Sequence, residues 1–185
     1  MSDRPEILLT RPRAQSETLA EALAAEGWRP LIWPLLEIAP SDAAVDYRGA
    51  QAVLLTSANA ARCARPPAAP VPAFCVGGAT ARAAAAGFAP VESAEGDAAA
   101  LAALAAARLA PEGGPLLFLR GETVAADLAD ALRPRGFDVR ETVVYEAREA
   151  GPPPADVAAA LAEGALAAAA FYSPRSAQVF ADRAT

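Results

Sequence analysis

At 185 residues the chain is long enough for one ordinary domain or two small ones, at about 100–200 residues per domain. Hydrophobic residues make up 54% and charged ones 21%, with a positive mean hydropathy, which excludes a disordered tail or a charged linker. The net charge of −6 repels nucleic acid and anionic membrane, so an anionic ligand must be held by a local site.

In chain order, apolar runs at 7–10, 31–34, 52–56, 73–76, 116–119, 139–145 and 168–172 read as strands. Most are continuous rather than alternating, as parallel strands covered on both faces are. Ala-rich segments at helical spacing lie between them, at 15–26, 79–86, 97–109, 124–134 and 156–163. Gly27, Gly87 and Gly164 follow three of these and predict left-handed helix stops. Two stretches break the alternation: Trp33 to Pro40, and Val143 to Arg148 ahead of Gly151-Pro152-Pro153-Pro154. Both read as extended and neither leads at once into a helix. As a pair they fit the two connectors of an α/β domain inserted into another. The inserted domain then covers 40–143, and 1–36 with 149–185 form the first. One continuous sheet with two awkward loops is the alternative.

Several chemistries are excluded by what is missing. His is absent and all 16 cations are arginine, which removes His-based triads, lysine Schiff bases and the commonest metal ligand. Cys63 and Cys75 have neither zinc-site spacing nor the density of a secreted disulfide scaffold. With no export signal ahead of the first strand and no apolar run long enough to span a bilayer, a cytoplasmic protein without metal or membrane partner is expected. Neither a GxGxxG nor a P-loop motif occurs.

The strand-to-helix junctions carry the remaining signal. The first strand runs into Thr10-Arg11-Pro12, and later ones into Thr56-Ser57-Ala58-Asn59, Gly77-Gly78-Ala79-Thr80, Arg120-Gly121-Glu122-Thr123 and Ser173-Pro174-Arg175-Ser176. Small, hydroxyl and glycine residues there suit the carboxyl edge of an open parallel sheet, where such folds bind ligands. They equally suit ordinary helix capping. Arg11, Arg62, Arg82, Arg120 and Arg175 lie at or within about a turn of these junctions, where the helix dipole disfavours a cation. An anionic ligand would offset that cost, whereas the Arg-rich composition would produce some of the pattern by chance. Tyr145 is the titratable group that stands out, in an apolar strand whose tyrosine could equally be a packing residue.

Taken in order, Leu9-Thr10-Arg11-Pro12, Pro34 to Ile38, Leu55 to Ala60, Cys75 to Ala81, Gly96-Asp97, Leu119-Arg120-Gly121, Val144-Tyr145-Glu146 and Phe171 to Ala177 make the chain resemble the uroporphyrinogen-III synthase family along its whole length. The resemblance implies two parallel-sheet, flavodoxin-like α/β domains, one inserted in the other, joined by a two-stranded connector, with the site in the cleft between them. It also implies a monomeric, cofactor-free hydro-lyase that cyclises hydroxymethylbilane, a linear tetrapyrrole octacarboxylate, losing water and inverting the last pyrrole. By the matching motifs Tyr145 is the expected acid, and Arg11, Thr56, Ser57, Asn59, Gly77, Thr80, Arg120, Gly121, Ser173 and Ser176 are the expected substrate-binding residues. Family members continue for further βα units, so the first domain is expected to be incomplete at its C-terminal end. A non-catalytic two-lobed module that binds a small anion is the alternative; it explains the junctions and gives Tyr145 no chemical role.

Overall fold

The structure, a computed structural model, describes residues 4–123 and 128–183. It divides into two compact units, one of Met1–Ile38 with Ala147–Thr185 and one of Ala39–Glu146. The chain passes from one to the other within two strands, β3 (Leu36–Pro40) and β8 (Val139–Glu149), which are neighbours in a sheet. These two strands are the extended stretches that interrupt the βα rhythm of the sequence.

The larger unit is built on β4 (Ala52–Leu55), β5 (Ala73–Cys75), β6 (Val91–Ser93), β7 (Leu116–Gly121) and β8, in the sheet order β3-β8-β7-β4-β5-β6. The pairings β7 to β8, β4 to β7, β4 to β5 and β5 to β6 are parallel, with Leu54 opposite both Phe74 and Phe118. Successive residues of a strand point to opposite faces, and here each face has its own core. Ala52, Leu54, Phe74, Leu116 and Phe118 pack with α4 (Ala98–Arg108) and α5 (Leu128–Leu132). Val53, Leu55, Cys75, Leu117 and Leu119 pack with α2 (Ala58–Cys63) and α3 (Gly78–Ala84). Double burial explains why β4 and β7 read as unbroken apolar runs.

The smaller unit has the order β2-β1-β9, from β1 (Glu6–Leu9), β2 (Arg29–Ile32) and β9 (Leu166–Ala170), all parallel. With α1 (Arg13–Ala25), α6 (Ala155–Ala162) and α7 (Pro174–Arg183) these complete the described elements other than two short 3-10 turns. Its core gathers Leu8, Leu31, Trp33, Leu35, Val157, Ala160 and Val179. The Trp33 indole is buried and donates to the Gly151 carbonyl at 3.1 Å, which ties the proline segment to the end of β2. No described helix is long and apolar enough to cross a membrane.

The elements depart from the sequence reading in several places, among them β2, which begins two residues early, and α7, which the reading did not include. Residues 58–63 form a helix that the six-residue length hid, since it spans under two turns. Strand β6 has only three residues, one of them Glu92, and carries no periodic signal. The segment 124–134 is helical at Leu128–Leu132 and then tightens into a 3-10 turn at Arg133–Arg135; residues 124–127 lie outside the described ones. Gly27 and Gly164 do take the left-handed conformation, at φ +87° and +63°, whereas Gly87 does not. A Cβ at Gly87 would instead stand 3.2 Å from the Pro66 side chain, so packing accounts for that glycine.

Burial in this core pushes the Cys75 thiol up to about 11. A folded-state value above the unfolded one means that stability is complete below about pH 9 and is lost as pH rises through 11, because the unfolded chain then releases a proton that the folded one retains. Urea titrations between pH 8 and 11 should show the alkaline fall in stability flatten in Cys75→Ala. A fall of unchanged slope would assign it to other groups, Tyr47 first, since burial raises its phenol to about 12. Cys63 is only half-buried, so native alkylation should label it well before Cys75.

Candidate functional site

In the larger unit, β8 delivers Tyr145 to the carboxyl ends of β4 and β7. The register of β7 against β8 shifts after Arg120: Arg120 lies opposite Val143, and Gly121 opposite Tyr145, so β8 spends one extra residue there. Such a bulge suspends strict alternation. Val144, buried, and Tyr145, half-buried, accordingly both pack on the core that holds Leu55 and Leu119. The bulge is closed by the Glu122 N–H, which donates to the Tyr145 carbonyl at 3.0 Å.

This placement aims the phenol at the β4 junction. The Tyr145 hydroxyl donates to Ser57 Oγ at 3.3 Å, and the same oxygen accepts the Asn59 N–H at 3.1 Å, capping α2. Ser57 is thus an N-cap, as the capping reading expects, and it also accepts from Tyr145. Gly121 has a definite steric reason: a Cβ there would lie 2.6 Å from Tyr145 Cζ and 2.8 Å from its hydroxyl. Only a residue without a side chain lets the ring lie across β7. Thr56, at the end of β4, and Asn59 are partly open.

The other expected contacts of this unit are disposed differently. Gly77 caps α3 in an extended conformation, and a Cβ there would meet nothing within 4 Å, so its backbone is approachable. Thr80 is buried within the first turn of α3, and its N–H already donates to the Gly77 carbonyl at 3.0 Å. Arg120 is committed: its Nε pairs with Glu141 at 2.8 Å and its Nη1 donates to the carbonyls of Gly121 and Glu122. The other Glu141 oxygen holds Arg133 at 2.8 Å. Arg120 thus braces the β7 terminus. Arg62 and Arg82 lie in the last turns of α2 and α3, because those helices have only six and seven residues. A cation there is favoured by the dipole, so the electrostatic cost inferred from sequence does not apply to either.

In the smaller unit, Thr10 Oγ1 donates to the Ala170 carbonyl at 2.6 Å and draws together the ends of β1 and β9. Ser173 and Ser176 cap each other, the Ser176 N–H donating to Ser173 Oγ at 3.1 Å and the Ser173 N–H to Ser176 Oγ at 3.2 Å. Ser176 is buried in this exchange, so its side chain serves the start of α7. Arg175 donates to the Ala147 carbonyl at 2.9 Å. Arg11 takes no carboxylate partner among the described residues; its guanidinium carbon lies 4.5 Å from the centre of the Tyr172 ring. Tyr172 is a contact the sequence reading missed. The exposed aromatic pair Phe171-Tyr172 at a strand end was its only signal.

Among the described residues no group of three or more Cys, Asp or Glu side chains is placed to hold a metal ion. The larger unit offers hydroxyl and backbone N–H donors at strand ends and a phenol pinned beside a serine, and the smaller unit offers hydroxyl groups and Arg11 without a carboxylate partner among the described residues. These suit a polyanion and a single proton transfer.

The comparisons with known proteins show the family and the fold. A family model for uroporphyrinogen-III synthase HemD (HEM4) matches residues 17–185. Among solved structures, a uroporphyrinogen-III synthetase from Helicobacter pylori superposes with a TM-score of 0.62 at 17% identity, over 97% of this chain and 78% of that one. A mutant uroporphyrinogen III synthase from Thermus thermophilus gives 0.53 at 18% identity, over 96% of this chain and 76% of that one. At these identities the likeness is one of fold: two α/β units connected by strands. No curated protein sequence matches. With one family model accounting for nearly its whole length, the chain belongs to the uroporphyrinogen-III synthase (HemD) family.

Proposed function

We propose that the protein cyclises hydroxymethylbilane to uroporphyrinogen III, expelling the terminal hydroxyl as water and inverting the last pyrrole. The observation that carries this reading is the Tyr145 hydroxyl held against Ser57 at the bulged end of β8, in a chain of this family. The pyrrole nitrogen lone pair pushes on the terminal carbon as its C–O bond breaks, and Tyr145 supplies the proton that leaves with the oxygen as water. The cationic end is then attacked by the substituted α-carbon of the last ring to give a spiro intermediate; the bond from that carbon to its original bridging carbon breaks, and the released cationic bridge is captured by the free α-carbon of the same ring, which leaves the ring inverted and carrying one proton to lose. The proton lost on rearomatisation restores the phenol, so atoms and charge balance with no added reagent. Ser57 receives the hydrogen bond of the resting phenol and gives the phenolate an O–H donor after transfer.

Because the electron-rich pyrrole supplies most of the driving force, the protein's larger task is positioning. Thr56, Ser57, Asn59 and Gly77 in one unit and Arg11 with Ser173 in the other are the groups we assign to the carboxylates, largely through backbone N–H donors. Thr80 and Ser176 act behind them, holding the first turns of α3 and α7. Arg120 and Gly121 act on the site indirectly, through the β7 terminus and the seat of Tyr145. Incubation of chelator-treated protein with hydroxymethylbilane should consume it in proportion to protein concentration and with saturation. A consumption rate equal to that in buffer would remove the reading and leave a binding module.

A further inference from the structure

Arg11 and Tyr172 meet at a small cavity of about 110 Å³, bounded also by Thr10, Pro12, Leu36, Ser173 and Ser176. The guanidinium lies over the ring and has no ion-pair partner among the described residues. The aromatic face attracts the cation and restrains an otherwise mobile side chain, whose N–H donors take no carboxylate among the described residues. An arginine so held is a ready fork for a carboxylate. The ring itself is unusual for its exposure: Tyr172 is 49% exposed and Phe171 37%, the large hydrophobic residues left open.

We propose that Tyr172 is a positioning residue: its ring holds the Arg11 guanidinium in the plane that binds one side-chain carboxylate of the tetrapyrrole beside the Ser173 end of the cavity. The assignment rests on the synthase reading for the identity of the ligand. The contact is made before and after ring closure alike, so it contributes to binding rather than to the chemical step. The ring is required and its hydroxyl is not, because a cation is attracted by the aromatic face.

The test uses uroporphyrin III, a stable octacarboxylate, titrated calorimetrically into the whole protein, so that binding is read whether or not the protein turns over hydroxymethylbilane. Tyr172→Leu should weaken binding by about three- to tenfold, in the range of a lost cation–π contact. Tyr172→Phe should bind as the parent does. Arg11→Gln should cost about tenfold or more, as expected for a charged hydrogen bond, and adding Tyr172→Leu to it should cost nothing further. The same Tyr172→Leu variant should raise KM for hydroxymethylbilane while leaving kcat within about twofold. Equal affinity of Tyr172→Leu and the parent, or additive losses in the double variant, would overturn the proposal, as would a parent protein that does not bind the octacarboxylate. Failure of the synthase reading has a different signature, namely normal binding of uroporphyrin III without any turnover.

Discussion

Tyr145→Phe should lower kcat for hydroxymethylbilane by about a hundredfold, the low end of the range for a general acid. The effect is at the low end because the electron-rich pyrrole drives hydroxyl loss by itself, which leaves to the proposed acid only the protonation of the departing oxygen. KM should stay close to the parent value, since the role proposed for the phenol is at the leaving group and not at the carboxylates. Folding should be little affected: Tyr145 is half-buried, the ring remains, and the hydrogen bond lost is a single 3.3 Å contact to Ser57, worth about 1 kcal/mol. A variant with parent kcat would return Tyr145 to a packing role.

Gly121→Ala carries the second large effect, and its cause is geometric. A methyl group placed 2.6 Å from Cζ and 2.8 Å from the hydroxyl cannot coexist with the present ring position. The end of a tyrosine side chain yields more readily than the β7 backbone, so the phenol leaves Ser57 and the sheet survives. We expect kcat to fall at least tenfold, with a thermal midpoint within a few degrees of the parent. Adding Gly121→Ala to Tyr145→Phe should cost little more than Tyr145→Phe alone, because both remove the same placed proton. A kcat unchanged by the methyl group, with the fold intact, would show that the phenol's position at Gly121 is immaterial to the reaction.

The contrast between these residues and the rest of the site shows what a sequence can and cannot disclose. The continuous apolar runs at 52–55 and 116–119 identified strands buried on both faces, and the structure gives each face its own core. The side of β8 that Tyr145 occupies was not legible. Alternation from the buried Val144 would send it to the opposite face, and a one-residue bulge keeps both on the same core. Arginine placement was legible only to within a turn. The distance along the chain could not show that α2 and α3 end so soon that Arg62 and Arg82 reach their favourable termini. Nor could it show that Glu141, twenty-one positions beyond Arg120, returns alongside it in the next strand. The Arg11 to Tyr172 stack depends on β1 and β9 being neighbours across most of the chain length, a pairing that local pattern does not encode.

Inversion of the last pyrrole is the step that needs a shaped site, because hydroxymethylbilane closes unaided, head to tail, with its last ring in the original orientation. Rate alone is therefore the weaker criterion. The most direct measurement is the isomer composition of the product formed by the parent protein in chelator, oxidised to the porphyrin and resolved chromatographically. The type III isomer should dominate that product, with no metal or nucleotide added. Product consisting of the uninverted type I isomer, at the proportion found without protein, would contradict it.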